Sequence, residues 1–314
     1  MKKVSRANTY FLIIILLQLF LPVELVFRWF NITDSKTMLL ISHVITFIFP
    51  AIIYLIITKQ SAKDVLKLNK LYFNDIPLII LLAFVCQPIM TFFSLISQFF
   101  FENEIGNFVS AIVDSPYIIL LLVIAVLPAI TEEITIRGVV LSGYEDKNIY
   151  LACSITGLLF GIMHLDSQQF LYASVLGFVL ALVVRITNSI FASALIHFLI
   201  NGTSITLQKL LSFIPESTSV MNQVTEIGLR DLGVSEKIFM AIFYGLIALV
   251  FGVVAYFIIK KLAELNIKRG TISKDELSIN YSKSNERVFN IQFITIIIVY
   301  LLYMMAGIII RYLL

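Results

Sequence analysis

The sequence predicts an all-α protein, a polytopic transmembrane helical bundle of about eight to nine helices. Three observations predict it. The 314-residue chain is 59% hydrophobic and only 14% charged, where soluble domains carry about 25% charged residues; its mean hydropathy is +0.96. Its apolar runs have helical length, not the roughly 10-residue alternating pattern of an outer-membrane barrel strand. Most of its Lys, Arg, Asp and Glu residues collect between the runs, as loops between membrane spans require. The net charge of +3 is too small to indicate a nucleic-acid partner.

In chain order the expected spans are Thr9–Phe27, Met38–Thr58, Ile76–Phe100, Tyr117–Val140, Ile149–His164, Phe170–Val184, Ser189–Leu210, Ile238–Ile259 and Phe289–Tyr312. The first follows Lys2, Lys3 and Arg6 and imitates a signal peptide, but no small-x-small cleavage site follows it, so a retained helix is expected. The fifth and sixth are short. His164-Leu165-Asp166-Ser167-Gln168-Gln169 joins them, which fits a tight hairpin that does not cross fully. Cys86 and Cys153 lie inside apolar runs and read as small buried hydrophobes. Two longer polar stretches, about Ser212–Lys237 and Lys260–Arg287, are too small for independent domains. The organisation expected is N-terminal helices over 1–115, a chemical core over 116–210, and C-terminal helices with polar loops over 211–314.

Loop charge sets the orientation. Lys2, Lys3 and Arg6, the loop with Lys59, Lys63, Lys67 and Lys70, and the loop from Lys260 to Arg287 fall on one side if the spans number nine. Glu102, Glu104 and Asp114 fall on the other. The N-terminus is then cytoplasmic and the C-terminus outside.

Three polar clusters interrupt the apolar segments. In Thr131-Glu132-Glu133-Ile134-Thr135-Ile136-Arg137, Glu133 and Arg137 are four apart and share a helix face, whereas Glu132 points about 100° away. One carboxylate is thus positioned to pair with the guanidinium while the other stays free as a base. The bland reading is a polar helix end with Arg137 snorkelling to headgroups. Phe160 and His164 also share a face, behind a Gly157-x-x-x-Gly161 pair that lets another helix approach closely. His164 alone would read as an interfacial residue, and Asp166 either orients its ring or begins the loop. His197 and Asn201 are again four apart, with Ser193 one turn before. They suit either an oxyanion or interhelical hydrogen bonding. His43 has no ionisable neighbour in sequence and reads as a packing or interfacial residue, and Glu24 with Arg28 as an interfacial ion pair. An ionised group at mid-bilayer costs about 2.5–3.5 kcal/mol on insertion scales, so a chain holding this many uses them together. His-Glu-x-x-His, a presenilin-type Gly-Asp and a rhomboid-type Gly-x-Ser-Gly are all absent.

Taken in order, the clusters resemble the CPBP family of intramembrane endopeptidases, also called the Abi or type II CAAX protease family. Its pattern is Glu-Glu-x-x-x-Arg, Phe-x-x-x-His and His-x-x-x-Asn or Asp on successive membrane helices. Here the matching residues are Glu132-Glu133…Arg137, Phe160…His164 and His197…Asn201. Gly138 follows the arginine as is usual, and Ile136 stands where Phe is common. The resemblance implies peptide-bond hydrolysis. Glu132 would be the general base, His164 would help hold the water, His197 and Asn201 would stabilise the oxyanion, and Glu133, Arg137 and Phe160 would give support. It leaves the metal open: Glu132, His164 and His197 are candidate zinc ligands with a free fourth position, and a metal-free Glu/His site fits equally. The partners implied are the bilayer and a membrane-associated peptide or protein, with no nucleic acid, in the multi-pass setting of a bacterial cell membrane. A cavity lined by the motifs and open to the cytoplasm is expected. The competing readings are a non-catalytic membrane scaffold or bacteriocin-immunity protein of the same fold, and a proton-coupled transporter, which would show repeat-related helices.

Overall fold

The computed structural model describes residues 2–214, 229–279 and 281–313. Among these residues the chain is helical throughout, with no strand. Eight helices are long and apolar enough to cross a membrane: Lys3–Phe20 (α1), Ser35–Thr58 (α2), Phe73–Gln98 (α3), Tyr117–Gly143 (α4), Ser167–Thr187 (α6), Ile190–Leu211 (α7), Val234–Lys268 (α8) and Ile291–Ile310 (α9, helical to Leu313). Ile149–Met163 (α5) is the shorter ninth. The protein is an all-α, multi-pass membrane bundle. Of the polar stretch expected at about Ser212–Lys237, residues 215–228 lie outside the described ones.

The boundaries differ most at the eighth span, helical over Val234–Lys268 where Ile238–Ile259 is expected, and at the first span. It begins at Lys3, earlier than expected, and ends at Phe20, with a separate short helix over Val23–Trp29. Pro22 between them has no N–H to continue the ladder. Glu24 and Arg28 sit on that short helix, 4.0 Å apart and mostly exposed. The α5–α6 hairpin forms, but only α5 is short: α6, expected over Phe170–Val184 and not to cross fully, runs 21 residues and is long enough to cross. Gly157 and Gly161 meet α6 so closely that a Cβ on Gly157 would lie 2.6 Å from the Ser174 carbonyl oxygen. Asp166 caps α6 by accepting from the backbone N–H groups of Gln168 and Gln169, so of its two expected roles it takes that of loop start. Cys86 and Cys153 are buried free thiols.

α4 is the element that carries chemistry, and it is not a uniform α-helix. Leu121–Val126 and Ile134–Val140 are π-type turns flanking the α-helical Leu127–Glu133. Such wide turns are rare and concentrate at functional sites. α7 packs along α4, α3 and α6. α5 packs on α6, and α8 on α3. α1 lies between α4 and α9. The side chains turned outward on α8 and α9, such as Leu246, Leu249, Leu301 and Leu302, are exposed and apolar, as lipid contact requires.

The chain ends of one pole are bound to one another. Lys3 pairs with Asp146 at 2.8 Å. Lys67 pairs with Glu145. Asn69 donates to the Asn188 carbonyl and accepts at its own carbonyl from Ser189. Lys147 donates to the Ser284 and Glu286 carbonyls. Buried Asp75 accepts from Arg269 and Asn266. The N-terminus and the 59–75, 144–148, 188–189 and 269–290 connections therefore share one end of the bundle, and among the described residues the eight long helices and the shorter α5 alternate between that end and the other.

Candidate active site

The floor of the site is built by α4 and α7. Glu133 Oε1 lies 3.1 Å from Arg137 Nη1, with the two side chains 1% and 0% exposed. The interfacial snorkelling alternative for Arg137 is therefore wrong. Arg137 heads the largest fully buried side chains among the described residues, and its guanidinium lies 4.1 Å over the Phe160 ring, a cation–π contact that compensates some lost hydration. The same Glu133 Oε1 accepts from His197 Nδ1 at 2.9 Å. This bond orients the imidazole and leaves Nε2 turned toward Glu132, whose Oε2 is 3.8 Å away. That gap is too long for a direct hydrogen bond. Glu132 Oε2 is buried and has no hydrogen-bond partner in the protein. The two adjacent carboxylates thus bracket one imidazole, a tighter arrangement than a helical wheel of α4 alone predicts.

His164 ends α5. Its Nδ1 donates to the Phe160 carbonyl at 2.8 Å, leaving Nε2 with its lone pair free, and its ring meets Phe160 edge-on at 4.9 Å. Phe160 thus touches Arg137, His164 and His197 together. Asn201 lies one turn beyond His197 and donates through Nδ2 to the Ile124 carbonyl at 3.2 Å. The reason is local: Pro128, four residues after Ile124, has no N–H to give that carbonyl. One of Asn201's two amide protons is therefore committed to α4.

His43 is the residue the sequence reading missed. It is not an isolated packing residue. Nδ1 contacts Thr131 Oγ1 at 2.8 Å, and Thr131 in turn donates to the Leu127 carbonyl, so the histidine is the donor of the pair. His43 lines the same cavity as Glu132 and lies within electrostatic reach of Glu132, His164 and His197. It sits where α2 passes into a π-type turn over Val44–Ile48, and a break of helix period beside a lone histidine is not visible in composition.

These residues open into a cavity of about 1340 Å³. Its wall carries the uncharged amides Gln18, Gln87, Gln98, Gln168 and Gln208 among apolar side chains. Gln18, Gln87 and the buried Gln168 each keep one amide atom without a protein partner. The cavity does not open where expected. Glu132 and His197 do lie in the halves of α4 and α7 nearer the bound pole, yet the cavity extends the other way, to Phe20, Asn103 and Gln208. Beneath the site the fully buried Ile136, Val140, Leu159, Ala192 and Ile196 close the direct route.

Among the described residues no three His, Cys, Asp or Glu side chains converge as a metal-ligand set. Of the zinc candidates Glu132, His164 and His197, both histidines have Nδ1 held, by the Phe160 carbonyl and by Glu133, which leaves Nε2 of each ring as the nitrogen a metal would take.

Residues 114–203, which contain all three motifs, match the family model described as Type II CAAX prenyl endopeptidase Rce1-like. No curated protein and no solved structure matches the chain.

Proposed function

We propose, from the match of residues 114–203 to the Type II CAAX prenyl endopeptidase Rce1-like family model, that the protein is an intramembrane endopeptidase whose general base is Glu132. The observation that carries this reading is the division of labour between adjacent carboxylates: Glu133 is spent on Arg137 and His197, whereas Glu132 lines the cavity and its buried Oε2, 3.8 Å from His197 Nε2, has no hydrogen-bond partner. A water held between these two atoms satisfies both. Glu132 takes one proton from it, and the hydroxide attacks the scissile carbonyl carbon. The developing oxyanion accepts from His197 at Nε2, the ring being held in place by the Nδ1–Glu133 contact, and from the second amide proton of Asn201. His164 Nε2 accepts a hydrogen bond from the water's other O–H, which stays on the hydroxide, and orients it. Collapse of the intermediate breaks the C–N bond, and the Glu132 carboxylic acid returns its proton to the leaving amine. The amide-lined wall supports an extended peptide as ligand, because backbone N–H and C=O groups match unpaired side-chain amides. Whether the cleaved chain carries a prenyl group, as the family description names, is part of the same test.

Glu132→Gln removes the base and keeps the shape. The expected outcome is loss of cleavage by a factor of about 10² or more, with an unchanged melting temperature, scored by comparing membrane proteomes from cells with wild-type and variant protein. Equal product in both would sink the assignment. A non-catalytic scaffold instead predicts that a Glu132→Gln/His197→Ala protein complements fully.

A further inference from the structure

The pole that joins the N-terminus to the 59–75, 144–148, 188–189 and 269–290 connections carries the positive charge of the molecule. Lys2, Lys3 and Arg6, the four lysines from Lys59 to Lys70, and the cluster Lys260, Lys261, Lys268 and Arg269 all lie there. Asp146, Glu145, Glu286 and Asp75 at that pole are taken up in contacts with Lys3, Lys67, the α1 N-terminus and Arg269. The opposite pole holds Glu24, Asp34, Glu102 and Asp114 with fewer cations. Lys and Arg in short loops mark the cytoplasmic side, so the bound pole is cytoplasmic. The cavity opens at the other pole. Its mouth is formed by the Phe20–Arg28 bend, the outer end of α3 with Asn103, and Gln208 near the end of α7. By helix rise, Glu132 stands roughly 22 Å from Tyr117 at the mouth and roughly 16 Å from Gly143 at the cytoplasmic pole. The shorter path is nevertheless the closed one, plugged by Ile136, Val140 and Ile196, each 0% exposed.

We infer that the site is served from the extracytoplasmic side. The substrate segment enters as an extended chain from the outer surface, so that the protein acts on a translocated or exported polypeptide and not on one presented from the cytoplasm. This rests on the endopeptidase reading for the nature of the substrate, but the direction of access rests only on the cavity and the loop charges.

The two are separated by a labelling experiment that needs no activity. Ser204, exposed within the cavity, and Lys63, exposed in the basic 59–75 connection, are changed one at a time to cysteine. The full-length protein keeps its natural Cys86 and Cys153, which are buried and serve as the unlabelled background. A membrane-impermeant, sulfonated maleimide is applied to sealed right-side-out cells and to inverted vesicles. The expected result is labelling of Ser204→Cys in sealed cells and its loss in inverted vesicles, with the opposite pattern for Lys63→Cys. Labelling of Ser204→Cys only in inverted vesicles, labelling of both positions from the same side, or no labelling of Ser204→Cys in either preparation overturns the inference. Cleavage lost in Glu132→Gln alongside any of those patterns would leave the peptidase reading standing and remove only the direction of access.

Discussion

At the residue scale, Arg137 and Glu132 separate fold from chemistry. The guanidinium is fully buried and its charge is met by Glu133, so Arg137→Ala leaves an uncompensated carboxylate in a dry core. Breaking one partner of such a pair costs about 3–5 kcal/mol. We expect Arg137→Ala to melt well below wild type in detergent, while Glu132→Gln melts with it; coincident melting of wild type and Arg137→Ala would place the guanidinium in contact with water. His43 is the second test. If Thr131 fixes its ring through the 2.8 Å contact, Thr131→Val releases it and should slow turnover roughly tenfold, about 1.4 kcal/mol of transition-state stabilisation, with an unchanged melting curve. The Glu133–Arg137 pair was legible because both partners lie on one helix at a fixed interval. His43 was not, because its partner is 88 residues away and only tertiary packing brings them together. The approach of Glu132 to His197, and the diversion of an Asn201 proton to Ile124, are likewise products of how α4 and α7 pack.

At the element scale, α4 and α7 are coupled through a missing hydrogen bond. Pro128 orphans the Ile124 carbonyl, and Asn201 supplies the donor at 3.2 Å. Pro128→Ala restores a backbone donor, so Asn201→Leu should cost less stability in that background than in wild type. The difference expected from a double-mutant cycle is about 1 kcal/mol; additive effects would mean that the Asn201 contact carries no weight. The α5–α6 hairpin makes a different demand. A Cβ at Gly157 would meet the Ser174 carbonyl oxygen at 2.6 Å and the Phe178 nitrogen at 2.7 Å, both backbone atoms that cannot step aside. Gly157→Ala should therefore lower stability by about 1–3 kcal/mol and shift the Phe160 and His164 side chains, lowering activity as well as melting temperature. The small-residue spacing showed in sequence that some helix must approach here. The hydropathy runs also located the eight crossing helices and the short α5, since lipid forces each span to be long, apolar and helical, but they cut α6 short at both ends and stopped α8 nine residues early. They missed the π-type turns of α2 and α4, whose hydrogen-bond shift leaves hydropathy unchanged.

At the scale of the whole molecule, alternation of nine helices between two poles was readable from loop charge, whereas the direction of the cavity was not. That direction depends on which interhelical gaps are filled, and filling is a matter of three-dimensional packing. One contact of the bound pole has a consequence in time. The N-terminus of α1 has no side-chain cap of its own; the carboxylate of Glu286 instead accepts from the backbone N–H groups of Val4 and Ser5, at 3.2 and 2.9 Å. Asn8, on the next turn, is held by the Val288 carbonyl and the Asn290 side chain. The start of α1 is thus finished by residues made some 280 positions later, an interval of about 15–60 s at ordinary rates of synthesis. During that interval α4 is already made and gives α1 a helix to pack against, while the leading N–H groups of α1 wait for their acceptor.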